Sequence, residues 1–153
     1  MRECFVVDID GVILDTAFIF DEIFEKKLKG DEMWDYFHAN CNGDRVKVIE
    51  SSRLFLNRLF TLRFSVGTEI ILLTSRNSKA REATIEKLKK EKIYFDTLIM
   101  REDGDYREPH VLKKEVLKWL QEEMEYEIIM FVDDELKNCE AAKELGILSV
   151  RKV

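Results

Sequence analysis

The sequence predicts an α/β fold built on a doubly wound parallel sheet of about five strands. Short, almost wholly apolar runs recur along the chain, which is typical of parallel strands that are buried on both faces. Segments with helical spacing of apolar residues separate these runs, so successive strands are expected to be joined by crossover helices. Several runs end in polar side chains, as expected where parallel strands reach a ligand-binding edge.

The first half of the chain is predicted to contain one strand, three helices and a turn. In order, these are a strand over 4–8 (CFVVD), a helix from 16 to about 28 that Gly30 ends, a short helix over 32–39, a turn at 40–44 (NCNGD) and a longer helix over 46–64. Residues 15–65 are therefore expected to form a short helical region beside the cleft, with a small or absent cap.

The second half of the chain is predicted to alternate regularly between strands and helices. In order, we expect a strand over 69–74, a helix over 78–92 with Ser78 as its N-cap, a strand over 94–100, a helix from Pro109 to about 124, a strand over 127–132, a helix over 136–145 and a last strand over 147–150. Together these elements predict a Rossmann-like sheet with helices on both faces, forming one domain over residues 1–153.

Composition and charge narrow the classes of function. The chain has 31 acidic and 25 basic residues and a formal charge of −6, so it has no global attraction for nucleic acid, although a local basic rim remains open. No stretch approaches the roughly 20 apolar residues that a membrane span requires. The three cysteines, Cys4, Cys41 and Cys139, lack CxxC spacing. We therefore expect neither a zinc site nor a disulfide framework. Cysteines without disulfide partners are typical of the reducing cytoplasm, so we expect the protein to lie there.

Reactive side chains follow three of the predicted strands. The three pairs are Asp8 with Asp10, Thr74 with Arg76, and Asp133 with Asp134. A doubly wound sheet would bring these strand ends into one crevice. Four carboxylates in one crevice repel each other unless a cation neutralises them, and ligation by oxygen alone favours Mg²⁺.

The same residues permit phosphoryl transfer. A carboxylate can act as a nucleophile and form an acyl phosphate, and a second acid two residues away can protonate the leaving oxygen and later activate water. Thr74 and Lys113 can offset charge on the phosphoryl oxygens. The chain has no phosphate loop, no GxGxxG and no GxSxG, and His38 and His110 lack metal-ligand spacing.

Four short motifs carry a resemblance that covers essentially the whole chain. DIDGV at 8–12, TSR at 74–76, Lys113 and DD at 133–134 resemble, in order, the four motifs of the haloacid dehalogenase (HAD) superfamily. The resemblance implies that Asp8 is the nucleophile and a metal ligand. It implies that Asp10 is the general acid/base, with its backbone carbonyl on the metal.

The resemblance also assigns the remaining motif residues. Thr74 and Lys113 would hold the phosphoryl oxygens, with Lys114 an alternative for the lysine. Asp133 and Asp134 would complete the Mg²⁺ site, and which of them binds the metal directly stays open. An acid at position 10 favours a phosphatase over the dehalogenase branch, which lacks it.

A narrower resemblance lies in the segment LIMREDGDYREPHVLKKEVL at 98–117. It is similar to the region before the third motif of polynucleotide kinase-type 3′-phosphatases, and Arg76 and Arg107 become candidate contacts for a substrate phosphate. The resemblance implies action on a nucleotide or a nucleic-acid end. The kinase half of those enzymes has no counterpart here, and Val12 replaces the threonine found in many members.

Three other interpretations stay open at this point. A general phosphatase of small metabolites would have the same motifs, and a non-catalytic phosphate-binding or regulatory scaffold would keep them without turnover. Receiver domains also combine carboxylates, a threonine and a lysine, but their phosphorylated aspartate follows the third strand. Here the third strand ends at 98–100 with no acid in place.

Overall fold

A five-stranded parallel sheet forms the centre of the computed structural model, which describes all residues from 1 to 153. The strands of the chain are β1 (Arg2–Val7), β2 (Leu14–Asp15), β3 (Lys47–Val48), β4 (Glu69–Asn77), β5 (Thr97–Arg101), β6 (Tyr126–Asp133) and β7 (Ser149–Arg151). The main sheet has the strand order β5-β4-β1-β6-β7, and every neighbouring pair in it is parallel. The predicted α/β fold is confirmed.

Six α-helices connect the strands. They are α1 (Ala17–Glu25), α2 (Gly30–Asn40), α3 (Glu50–Val66), α4 (Arg81–Lys90), α5 (Pro109–Glu122) and α6 (Leu136–Glu144), with a single 3₁₀ turn at Ser78–Ala80 before α4. None of these helices combines the length and the apolar character that crossing a membrane would need.

Apolar residues of the central strands pack on both faces of the sheet. In β4, Ile70 and Leu72 belong to a core that also contains residues of α1 to α4, whereas Ile71 and Leu73 belong to a core with α5 and α6. Because side chains alternate between the two faces of a strand, only a continuous apolar run can fill both cores. This requirement explains the run that the sequence shows at β4.

Three local predictions are wrong. Gly30 begins α2 rather than ending the preceding helix, because its φ of 58° lets the chain turn directly into the new helix. Lys47–Val48 forms strand β3, which pairs with β2 in an antiparallel two-stranded sheet, so α3 begins only at Glu50. Ser78 is not the N-cap, since the side chain of Asn77 accepts the hydrogen bond from the Lys79 N–H at 2.9 Å.

The register of the sheet brings three strand ends to one edge. Val7 of β1 pairs with Leu72 of β4 on one side and with Val132 of β6 on the other. The residues that follow these positions therefore lie side by side at the carboxyl edge of the sheet. The segment between β1 and β4, which contains β2, β3 and α1 to α3, is inserted after this edge.

Candidate active site

A buried lysine bridges two buried aspartates at the carboxyl edge of the sheet. Lys113 reaches this point from the first turns of α5, and its Nζ donates to Asp8 Oδ1 at 2.9 Å and to Asp133 Oδ2 at 2.7 Å. Asp133 Oδ1 also accepts from the Glu135 N–H at 2.9 Å and from the Asn138 amide at 3.1 Å. Asp133 is thereby fixed at both oxygens, and one oxygen of Asp8 remains without a donor from the protein.

Asp134 adds a third carboxylate to this pair. Ligand oxygens of Asp8, Asp133 and Asp134 all lie within 4.8 Å of one another. The Asp134 carboxylate packs against Gly11, whose φ is +81°, and a Cβ at position 11 would lie 2.1 Å from Asp134 Oδ2. Only glycine both adopts this backbone conformation at low cost and leaves room for the carboxylate.

Burial and charge perturb the pKa values of these groups. Burial raises the pKa of Asp8 well above its ordinary range, and the nearby charge of Lys113 offsets only part of this effect. Burial, and then the charge of Asp133, raise the pKa of Asp134 to about 6. Burial alone would lower the pKa of Lys113, but Asp8 and Asp133 outweigh it and raise this pKa.

This donor set fits a divalent cation. Three carboxylates in a small volume are held against a single ammonium group, and carboxylate oxygens are the ligands that hard divalent cations prefer.

Asp10 lies beside this cluster and is held by an arginine. Arg76 donates from Nε to Asp10 Oδ2 at 2.9 Å and from Nη2 to Asp10 Oδ1 at 2.8 Å, which is a bidentate pair. The Thr16 hydroxyl donates to Asp10 Oδ1 at 3.1 Å. Both carboxylate oxygens of Asp10 are therefore oriented by the protein.

The other N–H groups of Arg76 bind the inserted segment and α4. Nη1 donates to Asn42 Oδ1 at 2.6 Å and to Thr84 Oγ1 at 3.1 Å, and Nη2 donates to the Cys41 carbonyl at 3.2 Å. A guanidinium has five N–H donors, and all five are used within the protein. In this conformation Arg76 has no N–H group left for a substrate phosphate, and the contact predicted between Arg76 and substrate stays a prediction.

Thr74 and Arg107 occupy different surroundings. Thr74 is buried in β4 next to β1, and its hydroxyl oxygen accepts from the Arg76 N–H at 3.1 Å. Arg107 lies in the loop before α5 and is ion-paired with Asp105, at 2.7 Å, and with Glu115. The contact predicted between Arg107 and substrate stays a prediction.

The structure thus brings most of the predicted site residues to one edge of the sheet. They are Asp8, Asp10, Thr74, Arg76, Lys113, Asp133 and Asp134. Lys114, the alternative to Lys113, is exposed and pairs with Glu144 on the outer surface. Lys113, which is 2% exposed, is the lysine that contacts the carboxylates.

Sequence reasoning missed the polar residues that orient the motif side chains. Thr16 and Asn42 contact Asp10 and Arg76, and Asn138 contacts Asp133. Asn138 was detectable in principle, because a residue five positions after a strand-end acid lies in the first turns of the following helix. Asn42 was not detectable, because an asparagine before a glycine is already explained by the turn at 40–44.

A family model matches residues 1–150, almost the entire chain. It describes the HAD superfamily, subfamily IIIB (acid phosphatase). The chain belongs to the HAD superfamily. The HAD resemblance expected from its motifs is confirmed. No curated protein sequence matches the chain significantly.

Solved structures of similar fold agree with this assignment. A chain of the Pnkp1/Rnl/Hen1 RNA repair complex superposes with a TM-score of 0.73 at 22% identity, over 99% of this HAD chain and 42% of that chain. A HAD-like hydrolase from Streptococcus pneumoniae gives a TM-score of 0.65 at 15% identity, over 98% and 84% of the two chains.

An acid phosphatase is also among the similar structures. The class C acid phosphatase from Bacillus anthracis gives a TM-score of 0.65 at 15% identity, over 99% of this chain and 66% of that one. This HAD chain spans less than half the length of the RNA repair chain that it resembles.

Proposed function

We propose that this HAD phosphatase hydrolyses phosphomonoesters with Mg²⁺, through an aspartyl-phosphate on Asp8, and that its substrate is the 3′-phosphate of a nucleotide or polynucleotide. The observation that carries the covalent mechanism is the state of Asp8. Its carboxylate is buried, bound at one oxygen by Lys113 at 2.9 Å and without a protein donor at the other. In this proposal, that second oxygen attacks the phosphorus atom.

In the first half of the proposed reaction, Asp8 forms a bond to phosphorus while the bond from phosphorus to the ester oxygen breaks. Lys113 keeps the attacking carboxylate oriented and offsets negative charge. Asp10 gives a proton to the leaving oxygen, and Arg76 and Thr16 hold its carboxyl group in place for this transfer.

In the second half, Asp10 takes a proton from a water molecule. The water oxygen attacks phosphorus, the bond to Asp8 breaks, and inorganic phosphate leaves. Thr74 is buried three residues before the end of β4, and in this proposal its hydroxyl donates to a phosphoryl oxygen in both halves.

Asp8, Asp133 and Asp134 would hold Mg²⁺, with Asp10 contributing through its backbone as the family pattern implies. A bound Mg²⁺ would supply positive charge that reduces repulsion between these carboxylates and an incoming phosphate. Asp133 is held by Lys113 and Asn138, so Asp134 is the more adaptable ligand of the pair.

The proposed substrate class has separate support. The segment at 98–117 is similar to polynucleotide 3′-phosphatases, and a chain of an RNA repair complex is among the structures with a similar fold. The acid phosphatase family match favours a second candidate, which is a phosphatase of small metabolites.

We further propose that residues 1–153 act as one domain, with residues 15–65 beside the cleft. We also propose a cytoplasmic location, which suits the free cysteines Cys4, Cys41 and Cys139.

Phosphate release from three substrates tests these proposals. A 3′-phosphorylated oligonucleotide, a nucleoside 3′-phosphate and an aryl phosphate are compared with Mg²⁺ and with a chelator. Asp8→Asn is expected to abolish release from all three, and Asp21→Asn, at an exposed acid of α1, serves as the matched control.

The results separate the parts of the proposal. Preference for the oligonucleotide supports action on nucleic-acid ends, whereas Mg²⁺-dependent release from the aryl phosphate alone supports the metabolite phosphatase. Full activity of Asp8→Asn would refute the covalent mechanism, and full activity with the chelator would refute the dependence on Mg²⁺.

A further inference from the structure

Arg151 lies directly beside the carboxylate cluster. It is the last residue of β7 and pairs in register with Asp133 of β6, so the two backbones are about 4.8 Å apart, the usual spacing of neighbouring strands. Its Nε donates to the backbone carbonyl of Asp134 at 3.1 Å. The next residue, Lys152, donates its N–H to the carbonyl of Asp133 at 2.9 Å. The carboxyl end of β6 is thereby linked to this cationic segment.

The guanidinium of Arg151 has no acidic partner. Arg76 and Arg107 at the same edge of the sheet are each ion-paired with a carboxylate. Arg151 forms no salt bridge, its two terminal nitrogens donate to no protein atom, and its side chain is exposed. A cation that is anchored at Nε and free at both Nη atoms is thus held at the rim of a site that binds phosphate.

We propose that Arg151 binds a second phosphate group of the substrate, the one adjacent to the phosphomonoester that is hydrolysed. This inference rests on the proposed action on 3′-ends, because a polynucleotide 3′-end or a nucleoside 3′,5′-bisphosphate carries a second phosphate, whereas a nucleoside 3′-phosphate or another simple monoester does not. A planar guanidinium presents paired N–H groups that match two phosphate oxygens. The positive charge of Arg151 would also attract a second phosphate, which the carboxylates of the site would otherwise repel.

The inference also accounts for how a chain with a formal charge of −6 can accept a polyanion. Attraction from the whole molecule is absent, so a local cation at the rim has to favour binding next to the site. Arg151 therefore acts as a binding residue that determines specificity and takes no part in the chemical step.

Two substrates that differ by one phosphate provide the test. KM and kcat are measured for a nucleoside 3′-phosphate and for the corresponding nucleoside 3′,5′-bisphosphate, with the 3′-phosphorylated oligonucleotide and an aryl phosphate alongside. The wild-type chain is expected to have a KM about 10-fold lower for the bisphosphate than for the monophosphate, the effect of one partly exposed charge-assisted contact.

Arg151→Ala is expected to remove this difference while kcat and the KM for the monophosphate and the aryl phosphate stay unchanged. Arg151→Lys should keep part of the difference in KM, because lysine retains the positive charge but lacks the paired N–H groups of the guanidinium. The matched control is Arg58→Ala, which removes an exposed arginine of α3 that has no carboxylate partner. It should behave as the wild type.

Other results would overturn the inference. An equal KM of the wild-type chain for the two nucleotides would show that no second phosphate is bound. A KM that Arg151→Ala raises equally for every substrate would place the residue at the hydrolysed phosphate or in the fold. These failures are distinct from failure of the proposed function. If the bisphosphate is preferred but the oligonucleotide is not hydrolysed, polynucleotide action is refuted and the role of Arg151 stands.

Discussion

Replacing Arg76 tests whether this arginine positions the proposed acid/base or binds the substrate. Its side chain is fully buried, whereas the side chain of Asp10 is 22% exposed. Arg76→Ala removes both hydrogen bonds of the pair to Asp10 and leaves Asn42 Oδ1 and the Cys41 carbonyl without this donor. The substitution therefore breaks the link between β1, β4 and the inserted segment.

The cost to stability follows from these contacts. Removing one partner of a buried ion pair costs about 3–5 kcal/mol. Water can reach Asp10 in part, which places the expected loss near the lower end, about 3 kcal/mol. For a domain of this size, each kcal/mol lowers Tm by roughly 2–4 °C, so Tm should fall by roughly 6–12 °C. Arg81→Ala is the matched control, because Arg81 donates one hydrogen bond, to the Leu98 carbonyl, and pairs with no carboxylate.

The kinetic effect distinguishes the two roles. If Arg76 orients Asp10, kcat for an aryl phosphate should fall by about 100-fold, the usual value of a general acid/base, with little change in KM. Arg76→Lys should recover part of kcat, because an ammonium keeps the charge but cannot form the bidentate pair. A large rise in KM at unchanged kcat would refute positioning and restore the substrate contact predicted from sequence. An unchanged Tm would refute the hydrogen-bond network itself.

Three further predictions concern the carboxylate cluster. Gly11→Ala should lower Mg²⁺-dependent activity by at least about 10-fold in a phosphate-release assay, because the new Cβ would lie 2.1 Å from Asp134 Oδ2 and must displace this carboxylate. Lys113→Ala should abolish phosphate release, whereas Lys114→Ala should leave it unchanged, since only Lys113 contacts the cluster. Mg²⁺ should raise Tm much more at about pH 7.5 than at about pH 5. Burial raises the pKa of Asp134 to about 6, above its unfolded value, so the stability that this group contributes is lost as pH rises through 6, and Mg²⁺ would offset the loss by binding the ionised form. Thermal unfolding with Mg²⁺ or chelator measures this, and an equal gain in Tm at both pH values would contradict it.

The main sheet could be predicted from the sequence because its central strands are recognisable as continuous apolar runs. Glu69–Asn77 must fill cores on both faces, and that requirement appears in the sequence as an unbroken apolar run. The site could be predicted for a related reason. Parallel strands place their carboxyl ends at one edge, so the acids after β1 and β6 were expected to meet, and the Asp8, Asp133 and Asp134 carboxylates do.

Features that depend on contacts between distant segments could not be predicted. Strand β3 exists because Val48 pairs with Leu14, and the apolar spacing around Val48 fits a helix equally well. The role of Arg76 depends on which groups surround its guanidinium. The TSR motif at a strand end suits an arginine that binds phosphate, but Asn42 and Asp10 already accept its donors in the fold.

The charges of the site explain why its cations are distributed as they are. Asp8, Asp10, Asp133 and Asp134 face only Arg76 and Lys113, which leaves a formal charge of −2 when all are ionised. Burial raises the pKa values of Asp8 and Asp134, and neighbouring carboxylates add to the rise, so these two groups hold protons more readily than exposed aspartates do.

A divalent cation would neutralise the same excess and release those protons. The interior cations are then fully used, because Lys113 holds two carboxylates and Arg76 donates all of its N–H groups. An incoming phosphate dianion would bring a new charge of about −2 that these groups cannot offset. Positive charge for any further substrate phosphate must therefore come from the rim, and Arg151 is the arginine beside the cluster that has no acidic partner of its own.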